Sequence, residues 1–263
     1  MLQLSVVIIT LNEERNIERC LKSLEGVADE IIVIDSLSTD KTIDICRKFP
    51  VKFIQKEWMG YSAAKNYGNN LSKNDYILSI DADEALSDEL KKSISEIKNS
   101  ENLYDAYRFN RLTNYCGKWI HHGGWYPDTK LRLWNRRKGR WEGEIHEEIK
   151  MESGAKTTFI KGDLLHFSYY SIEQHIRQAD NFTDLAAKAA FEKGIKAGRF
   201  KIFFSPVIKF IRDYFFRLGF LDGHTGFIIC RISAHATFLK YVKLRRLTNF
   251  GLIFVLSVLG LNT

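Results

Sequence analysis

Three carboxylates crowd together at the end of an apolar run in the sequence ILSIDADE, residues 77–84. The apolar residues 77–80 predict a buried strand, and Asp81, Asp83 and Glu84 follow at once. Like charges at this spacing repel one another, and removing them from water is costly. Carboxylates two residues apart in a turn can hold a divalent cation such as Mg²⁺, which also bridges to substrate phosphates. The spacing therefore indicates a metal site that involves Asp81 and Asp83.

The first hundred residues alternate between strand and helix patterns. Short apolar runs rich in β-branched residues predict four strands, and amphipathic segments between them predict helices. This alternation is typical of βαβ units, so we expect an α/β fold with a mostly parallel sheet and helices on both faces. The predicted strands are residues 4–10, 30–35, 51–56 and 75–80, and the predicted helices are residues 16–26, 38–49, 60–71 and 87–100.

Polar residues follow three of these strands. In an open α/β sheet, ligands bind outside the carboxyl ends of the parallel strands, so we expect these residues to meet at one edge. A nucleotide diphosphate fits such an edge, with Asp35 accepting from base or ribose hydroxyls and Lys65 reaching a phosphate. The polar ends are Thr10, Leu11, Asn12 and Glu13 after the first strand, Asp35 and Ser36 after the second, and Asp81, Ala82 and Asp83 after the fourth.

The pattern changes after residue 100. Shorter strand-like runs occur at residues 105–115, 129–135, 142–151 and 156–162, and another precedes His166. Residues 171–196 predict a helix, and its apolar positions indicate the inward face: Ile172, Ile176, Ala179, Phe182, Ala186 and Ala189.

The C-terminal part is basic and aromatic. Residues 199–246 contain ten Lys or Arg against two Asp, a net charge of +8, whereas the rest of the chain has 29 basic and 30 acidic residues. We expect a helical appendage, interrupted near Pro206. Phenylalanines interleaved with cations are typical of helices that lie on anionic membrane surfaces. The aromatic residues concerned are Phe203, Phe204, Phe210, Phe215 and Phe216.

Other classes of protein fit less well. No nucleic-acid-binding module is recognisable, so we expect no nucleic-acid partner. The apolar C-terminal end, residues 249–263, is too short to span a bilayer by itself. The N-terminus lacks a basic region before its apolar run, so we expect no signal peptide. The four cysteines form no C-x-x-C pair, which favours reduced thiols in the cytoplasm.

Two alternatives to the metal site stay open. The acids of residues 81–84 could be solvated groups at a turn and a helix N-terminus, where the helix dipole favours them. Phosphatases of the haloacid dehalogenase type also end an apolar strand in D-x-D, and there the first Asp is the nucleophile. Their motif follows the first strand and precedes Thr or Val, whereas here it follows the fourth strand and precedes Glu84 and Ala85.

Four blocks of the sequence together resemble the family 2 glycosyltransferases with the GT-A fold. They are SVVIITLNEERNIERCLKSL, IIVIDSLSTDKT, GYSAAKNYGNN and YILSIDADE, in that order and spacing. The likeness is closer to bacterial lipopolysaccharide inner-core β-glycosyltransferases, and GWYPDTKLRLWNRRKGRW, IHEEI and GFLDGHTGF extend it past residue 225. The resemblance implies an inverting transfer of a sugar from a UDP- or GDP-sugar to a glycan or lipid-linked acceptor. A nucleotide-sugar-binding protein without turnover is the other interpretation.

The resemblance also implies roles for individual residues. Residues 10–13 and Asp35 would contact the base and ribose, Asp81 the ribose or a metal-bound water, and Asp83 an Mg²⁺ or Mn²⁺ ion. Lys65 stands near the diphosphate, where the family often has Arg. Leu11 stands where the family often has an aromatic residue, and Ser36 where it often has a second Asp. Glu84 would do no more than start the next turn.

An inverting transfer requires a general base on the acceptor side. The likeness favours the pair His146 and Glu147, so we predict Glu147 as the base, with Glu144 and Asp128 as alternatives. The acids of WEGEIHEEI, which are Glu142, Glu144, Glu147 and Glu148, could instead pair with the basic residues of RRKGR across a hairpin. His166 would reach the metal, although a histidine after an apolar run is more often structural.

Aromatic residues between 115 and 141 suit stacking on a sugar. We assign Trp125 and Tyr126 to the acceptor site, together with Asp128, because HHGGWYPD has the composition of a loop; most of the other rings would pack in a core. His121 and His122 lack the further ligands of a standard zinc site.

These observations predict a GT-A glycosyltransferase domain at residues 1–198. Residues 1–100 would form its nucleotide-sugar half and residues 101–198 its acceptor half. Residues 199–263 would form a helical segment that associates with the inner face of the cytoplasmic membrane.

Overall fold

The computed structural model describes residues 1–143 and 147–258, with side chains described as far as Asn249. Glu144 and His146, named above beside the predicted base, lie outside the described residues. The chain forms two compact units. The first comprises Met1–Thr113 and Pro127–Ser168, and the second comprises Asn114–Tyr126 and Tyr169–Thr263. The predicted domain boundary at residue 198 stays a prediction.

The first unit contains most of the strands. Its first half alternates strands and helices: β1 (Leu4–Thr10), α1 (Ile17–Ser23), β2 (Glu30–Asp35), α2 (Thr42–Cys46), β3 (Lys52–Gln55), α3 (Tyr61–Leu71), β4 (Tyr76–Asp81), β5 (Glu84–Leu86) and α4 (Asp88–Lys98). The following strands are β6 (Ala106–Tyr115), β7 (Lys118–Ile120), β8 (Asp128–Asn135), β9 (Gly139–Glu142), β10 (Glu148–Met151) and β11 (Thr157–Tyr169).

The main sheet has the strand order β3-β2-β1-β4-β8-β6-β11-β5, and β7 pairs with β6. Strands β1 to β4 are parallel, which confirms the predicted α/β class. Thr10 pairs with Asp35, and Ile9 pairs with Asp81. The polar ends of β1, β2 and β4 therefore meet at one edge of the sheet, as the sequence predicts.

Alternate residues of β1 pack on opposite faces of the sheet. Leu4, Val6 and Ile8 belong to a core cluster with residues of α1 and α4. Val7 belongs to a second cluster, which includes Trp134 and Trp141 and is flanked by residues of α3. Both faces of the parallel strands are therefore covered, which explains their nearly continuous apolar sequence.

Strand β11 corrects the prediction of two separate runs before and after Gly162. It is one strand of 13 residues, and it continues through Gly162 because that glycine adopts a φ of 95°. A Cβ at Gly162 would lie 2.2 Å from the backbone nitrogen of Leu90 at the start of α4. After this close approach, β11 pairs antiparallel with β5, and His166 lies opposite Glu84.

The second unit is mainly helical, with α5 (Ile172–Glu192), α6 (Arg199–Ile211) and α7 (Gly223–Val258). A π-helical segment, Arg212–Phe216, and a 3-10 segment, Gly219–Asp222, connect α6 to α7. The predicted interruption near Pro206 is wrong, since α6 continues through it. Ile202, Pro206 and Phe210 face the α7 residues Ala234 and Phe238 across one groove, so contacts with α7 extend on both sides of the proline.

The inward face predicted for the helix of residues 171–196 is also wrong. The buried residues of α5 are His175, Thr183, Ala187 and Ala190. Ile172, Ile176 and Phe182 are exposed. Small side chains let α5 approach α7 closely, and the large apolar side chains face outward. Within the described part of the chain, no helix is both long and apolar enough to cross a membrane.

The close approach of β11 to α4 yields a stability prediction. Gly162→Ala would place a methyl group against the backbone of Leu90 in addition to straining a positive φ. We expect it to lower the free energy of unfolding by about 2–5 kcal/mol, measured by urea denaturation.

Gly154→Ala is the matched control for this substitution. Gly154 has a φ of 86°, and a Cβ added there would meet no other atom within 4 Å, so only backbone strain is added. We expect a loss of about 1–2 kcal/mol there. Equal losses in the two variants would contradict a close contact between β11 and α4.

Candidate active site

The loops after β1 and β2 fasten one another at the edge of the sheet. Asn12 adopts a φ of 55° and accepts a hydrogen bond from the Thr39 backbone at its side-chain oxygen. The backbone N–H of Asn12 donates to Ser38 Oγ, and that of Glu13 donates to Thr42 Oγ1. These contacts hold residues 10–13, which the sequence predicts to bind the nucleotide, in a fixed path.

The four residues of this loop differ in exposure. Leu11 is 49% exposed, whereas Thr10 is buried and its Oγ1 has no hydrogen-bond partner among the described residues. Asn16 donates to the Glu13 carboxylate, yet burial raises the pKa of Glu13. Thr10 therefore offers an unused hydroxyl, and Leu11 an apolar surface, beside the end of β1.

Asp35 is fully buried at the end of β2. Its carboxylate accepts hydrogen bonds from the Ser38 backbone N–H at 2.9 Å, from Ser38 Oγ and from Gln55 Nε2 at 3.1 Å. A direct contact between Asp35 and a nucleotide stays a prediction, and it requires exchange of Ser38 or Gln55. In the structure this carboxylate organises the loop after β2.

Two buried cations compensate Asp81. Lys65 Nζ on α3 lies 3.0 Å from Asp81 Oδ1, and Arg132 Nη2 on β8 lies 3.2 Å from Asp81 Oδ2. Burial opposes ionisation of Asp81, but the attraction of Lys65 and Arg132 outweighs it and holds its pKa well below the usual value. The Trp141 ring lies 4.4 Å from Lys65 Nζ and 5.1 Å from the Arg132 guanidinium carbon.

Glu84 has a different position from the one predicted. It does not start a turn at the surface but lies on β5 with its side chain fully buried. Its Oε2 accepts from the Asp81 backbone N–H at 2.9 Å, and its Oε1 lies 3.4 Å from Arg111 Nη1 and 3.7 Å from Arg132 Nη2. Arginine donors and a backbone N–H make this burial possible, so Glu84 fixes the turn that presents Asp81 and Asp83.

Asp83 faces a histidine instead of a lysine or arginine. His166 Nε2 lies 3.1 Å from Asp83 Oδ2, and neither side chain is fully buried. Among the described residues, no Lys or Arg forms an ion pair with Asp83, and His166 Nδ1 has no hydrogen-bond partner. Of the three acids in residues 81–84, Asp83 is the one that forms no ion pair with a Lys or Arg of the described residues.

The pair Asp83 and His166 fits a divalent cation. Two ligands on adjacent positions of an octahedral ion, each about 2.1 Å from it, are about 3 Å apart, close to the separation of these two atoms. Within residues 1–143 and 147–258, no group of three or more His, Cys, Asp or Glu side chains could hold a metal ion. The side chains of the described residues would thus fill only part of the coordination sphere, as is usual where substrate phosphates and water supply the rest.

The two described candidates for the base differ in their surroundings. Asp128 accepts from Arg111 Nε at 3.0 Å and lies 2.9 Å from Lys130 Nζ. Burial opposes ionisation of Asp128, but these cations outweigh it and lower its pKa, which makes it a weaker base. Glu147 lies between β9 and β10, partly exposed, and its Oε1 is 3.4 Å from Lys65 Nζ. The alternative role as a hairpin partner applies to Glu142, which pairs with Arg140 and Lys150.

Trp125 and Tyr126 belong to the second unit. Trp125 packs edge-on against Tyr115 at 5.9 Å and against His175 at 5.6 Å, so much of its ring is already in contact. Burial lowers the pKa of His175 to about 4. The Tyr126 ring lies 5.6 Å from that of His121. A role of Trp125 and Tyr126 in acceptor binding stays a prediction.

Arg111, Arg132 and Trp141 belong to the site, although the sequence motifs do not single them out. The signal for Arg132 is its place between Leu131 and Leu133 in a strand-like run, where an arginine beside a buried position needs an acid. Nothing in the local sequence identifies Asp81 and Glu84 as that acid, because the pairs join residues 27 to 51 positions apart.

Several known proteins are similar to this chain in sequence or in fold. Residues 5–164 match the family described as Glycosyl transferase family 2. An uncharacterized glycosyltransferase of Rickettsia typhi is 33% identical over 94% of this chain and 88% of its own length. The lipopolysaccharide core biosynthesis glycosyltransferase LpsC of Rhizobium meliloti is 31% identical over 92% of each chain. A crystal structure of S. aureus TarS 1-349 in complex with UDP-GlcNAc has a TM-score of 0.46 and 13% identity over 95% of this chain and 92% of that chain.

The buried position of Glu84 yields a prediction. Glu84→Gln keeps an oxygen for the Asp81 N–H but removes the charge that Arg111 and Arg132 share. We expect the free energy of unfolding to fall by about 2–4 kcal/mol, since breaking a buried ion pair leaves uncompensated charge. Urea denaturation measures the loss.

Glu18→Gln is the control for that measurement, because Glu18 forms an exposed ion pair with Lys22. We expect little change there, as is usual for surface ion pairs. If Glu84→Gln were as stable as the control variant, Glu84 would not hold the turn as described.

Proposed function

The chain belongs to glycosyltransferase family 2, and from this premise we propose a metal-dependent, inverting transfer of a sugar from a nucleotide-sugar donor to a lipid-linked saccharide. The observation that carries this proposal is a difference among the three acids. Lys and Arg side chains compensate Asp81 and Glu84, whereas none in the described part of the chain pairs with Asp83. The name of the Rhizobium meliloti relative supports an acceptor of the lipopolysaccharide or cell-surface glycan class.

The donor would lie across the carboxyl ends of β1, β2 and β4. Residues 10–13 would line the base and ribose. Two observations support this: the Thr10 hydroxyl has no partner among the described residues, and the Leu11 side chain is exposed. Asp35 would act mainly by holding the loop after β2. It would contact the ribose directly where a ribose hydroxyl replaces Ser38 or Gln55 as its hydrogen-bond donor. Asp81, Ala82 and Lys65 would lie beside the ribose and diphosphate. The donor would carry uracil or guanine as its base.

Asp83 and His166 would hold a divalent cation, Mg²⁺ or Mn²⁺, near the donor diphosphate, with Asp81 beside it. Such an ion supplies charge neutralisation for the leaving nucleoside diphosphate. The imidazole nitrogen favours Mn²⁺ over Mg²⁺, because Mg²⁺ prefers an all-oxygen environment.

Glu147 would act as the general base. It would take the proton from the acceptor hydroxyl while that oxygen forms a bond to the anomeric carbon, and the bond from this carbon to the diphosphate oxygen would break with its electron pair. Attack from the face opposite the leaving group inverts the configuration. Lys65 would hold the Glu147 side chain in position, because its Nζ lies 3.4 Å from Glu147 Oε1.

The proposed acceptor determines where in the cell the enzyme would work. A lipid-linked saccharide is met at a membrane, so we propose that the protein works at the inner face of the cytoplasmic membrane as a peripheral protein. The anionic lipid of that face complements the basic residues 199–246.

The first experiment follows release of nucleotide from UDP- and GDP-sugars with and without Mn²⁺ or Mg²⁺. We expect release only with a metal, more with Mn²⁺, and loss of most of it in Asp83→Asn. Metal-independent hydrolysis of phosphomonoesters through Asp81 would favour a phosphatase. Thermal shifts without release would favour a protein that binds nucleotide-sugars without turnover.

The proposed base yields a separate prediction. Glu147→Gln should reduce transfer by a factor of about 10² to 10⁴, the usual contribution of a general base, and leave donor binding intact. Binding is measured by the thermal shift with the donor, and transfer by nucleotide release with acceptor.

Glu148→Gln is the matched control, since Glu148 is the next residue, is exposed and pairs opposite Glu142 in the hairpin. It should transfer at the rate of the unsubstituted enzyme. Full activity of Glu147→Gln would refute the assignment of the base, with Asp128 and Glu144 then the next candidates.

A further inference from the structure

The outer face of α6 carries an unusual stripe of apolar side chains. Phe200, Phe204, Ile208 and Ile211 follow one another at spacings of three or four residues, so they lie on one side of the helix. Phe203 and Val207 flank them. All six are exposed, from 41% for Ile211 to 80% for Phe200. We refer to these six residues as the outer stripe.

The opposite face of α6 already has its partners. Ile202 is buried, and Phe210 stacks on Tyr214 and meets Phe227 edge-on. Asp213 is buried and forms ion pairs with Lys209, Arg212 and Arg217. The helix is therefore fixed by its inner face, and the outer stripe is free to face a partner outside the second unit's own contacts.

The stripe continues beyond α6. Phe215 and Phe216 in the π-helical segment are 54% and 80% exposed. A groove of about 280 Å³ connects the stripe to α7, with Phe203 and Val207 on one wall and Phe238 on the other. Contiguous exposed apolar patches on soluble proteins often mark a surface that binds a protein or a membrane.

Helix α5 and the residues after it show that exposure alone does not create such a stripe. The large exposed residues there include Phe182, Leu185 and Ile195. Ile195 lies beyond the end of α5, so these three side chains do not share one face of a helix. Helix α6 differs from α5 in density: six of its 13 residues are large, apolar and exposed, against five of the 21 residues of α5.

Positive charge flanks the stripe. Arg199 and Lys201 are exposed on α6, and Arg212 and Arg217 remain about half exposed although they pair with Asp213. The only acids between residues 199 and 246 are Asp213 and Asp222, and both are buried. This segment therefore presents cations without exposed carboxylates of its own.

We propose that the outer stripe of α6, with Phe215 and Phe216, inserts into the surface of an anionic lipid bilayer. An apolar face with long cationic side chains beside it is the arrangement of helices that lie in the bilayer interface, where the cations reach lipid phosphates. The charge favours lipid over a second copy of this chain, because two copies of the same cationic surface would repel each other. The proposal does not depend on the sugar-transfer reaction.

Sedimentation of the full-length protein with vesicles tests the proposal. We expect binding to phosphatidylcholine–phosphatidylglycerol vesicles at low salt and much less binding to pure phosphatidylcholine. The triple variant Phe200→Gln, Phe204→Gln, Ile208→Gln should weaken binding at least about tenfold, because interfacial affinity scales with buried apolar area. Replacing Lys201 by Gln should weaken it about fivefold at low salt.

The matched control is Phe182→Gln, Leu185→Gln, Ile195→Gln in and after α5, which removes the same number of exposed apolar side chains from the same unit. We expect it to bind vesicles like the unsubstituted protein. Equal loss in both triple variants would overturn the assignment to α6. So would the absence of binding to anionic vesicles, or a dimer in sedimentation velocity that only the α6 variant dissociates.

A single substitution provides a second measurement if the α6 variant does not fold. Phe204→Trp should show a blue-shifted emission and protection from acrylamide when anionic vesicles are added. Phe182→Trp on α5 should show neither change. The same response at both positions would contradict insertion of α6. Urea denaturation of each variant serves as the folding check. Donor binding by the first unit is measured separately, so a loss of vesicle binding is separable from a failure of the proposed enzyme function.

Discussion

The candidate site depends on compensation of buried negative charge at the carboxyl ends of the parallel strands. Three cations approach Asp81 and Glu84 from separate elements: Lys65 from α3, Arg132 from β8 and Arg111 from β6. A carboxylate taken out of water without such partners costs several kcal/mol. The antiparallel strands that extend the sheet therefore do more than enlarge it, since two of them supply the arginines that let β4 end in acids.

The compensation of Asp81 and Glu84 determines what Asp83 is able to bind. If every acid of the turn had a protein cation, the turn would be a closed ion-pair network and would have little affinity for a metal. If no acid of the turn had such a cation, the three carboxylates would repel one another. Pairing of Asp81 and Glu84 fixes the backbone, as the bond from the Asp81 N–H to Glu84 shows, and leaves Asp83 to meet His166 on β11. The close passage of Gly162 beside α4 sets the path of the strand that carries His166.

The sequence predicts the part of this arrangement that local patterns encode. Alternation of strands and helices gives the parallel sheet, and strand order then brings Thr10, Asp35 and Asp81 to one edge. Pairing across the sheet is not encoded locally, so the sequence neither reveals the two arginines nor predicts that Glu84 is buried. For the same reason local patterns divide β11 at Gly162, since a glycine beside an aspartate is typical of a turn until the neighbouring helix is known.

The prediction for α5 failed in the other direction, because large apolar side chains expected inside are exposed. The cause is the same: local patterns do not show which elements pack together. Periodicity identifies a face that differs from the rest of a helix, but it does not say what covers that face. In the first unit the apolar faces of α1 and α4 are covered by the sheet, and the usual interpretation holds. In the second unit Ala187 and Ala190 pack inward and Phe182 points outward, and α6 turns its phenylalanines away from its neighbours. The burial of Glu84 and the exposure of Phe200 thus follow from one rule: a side chain lies where its partners are. Those partners need not belong to the same stretch of chain or to the same molecule.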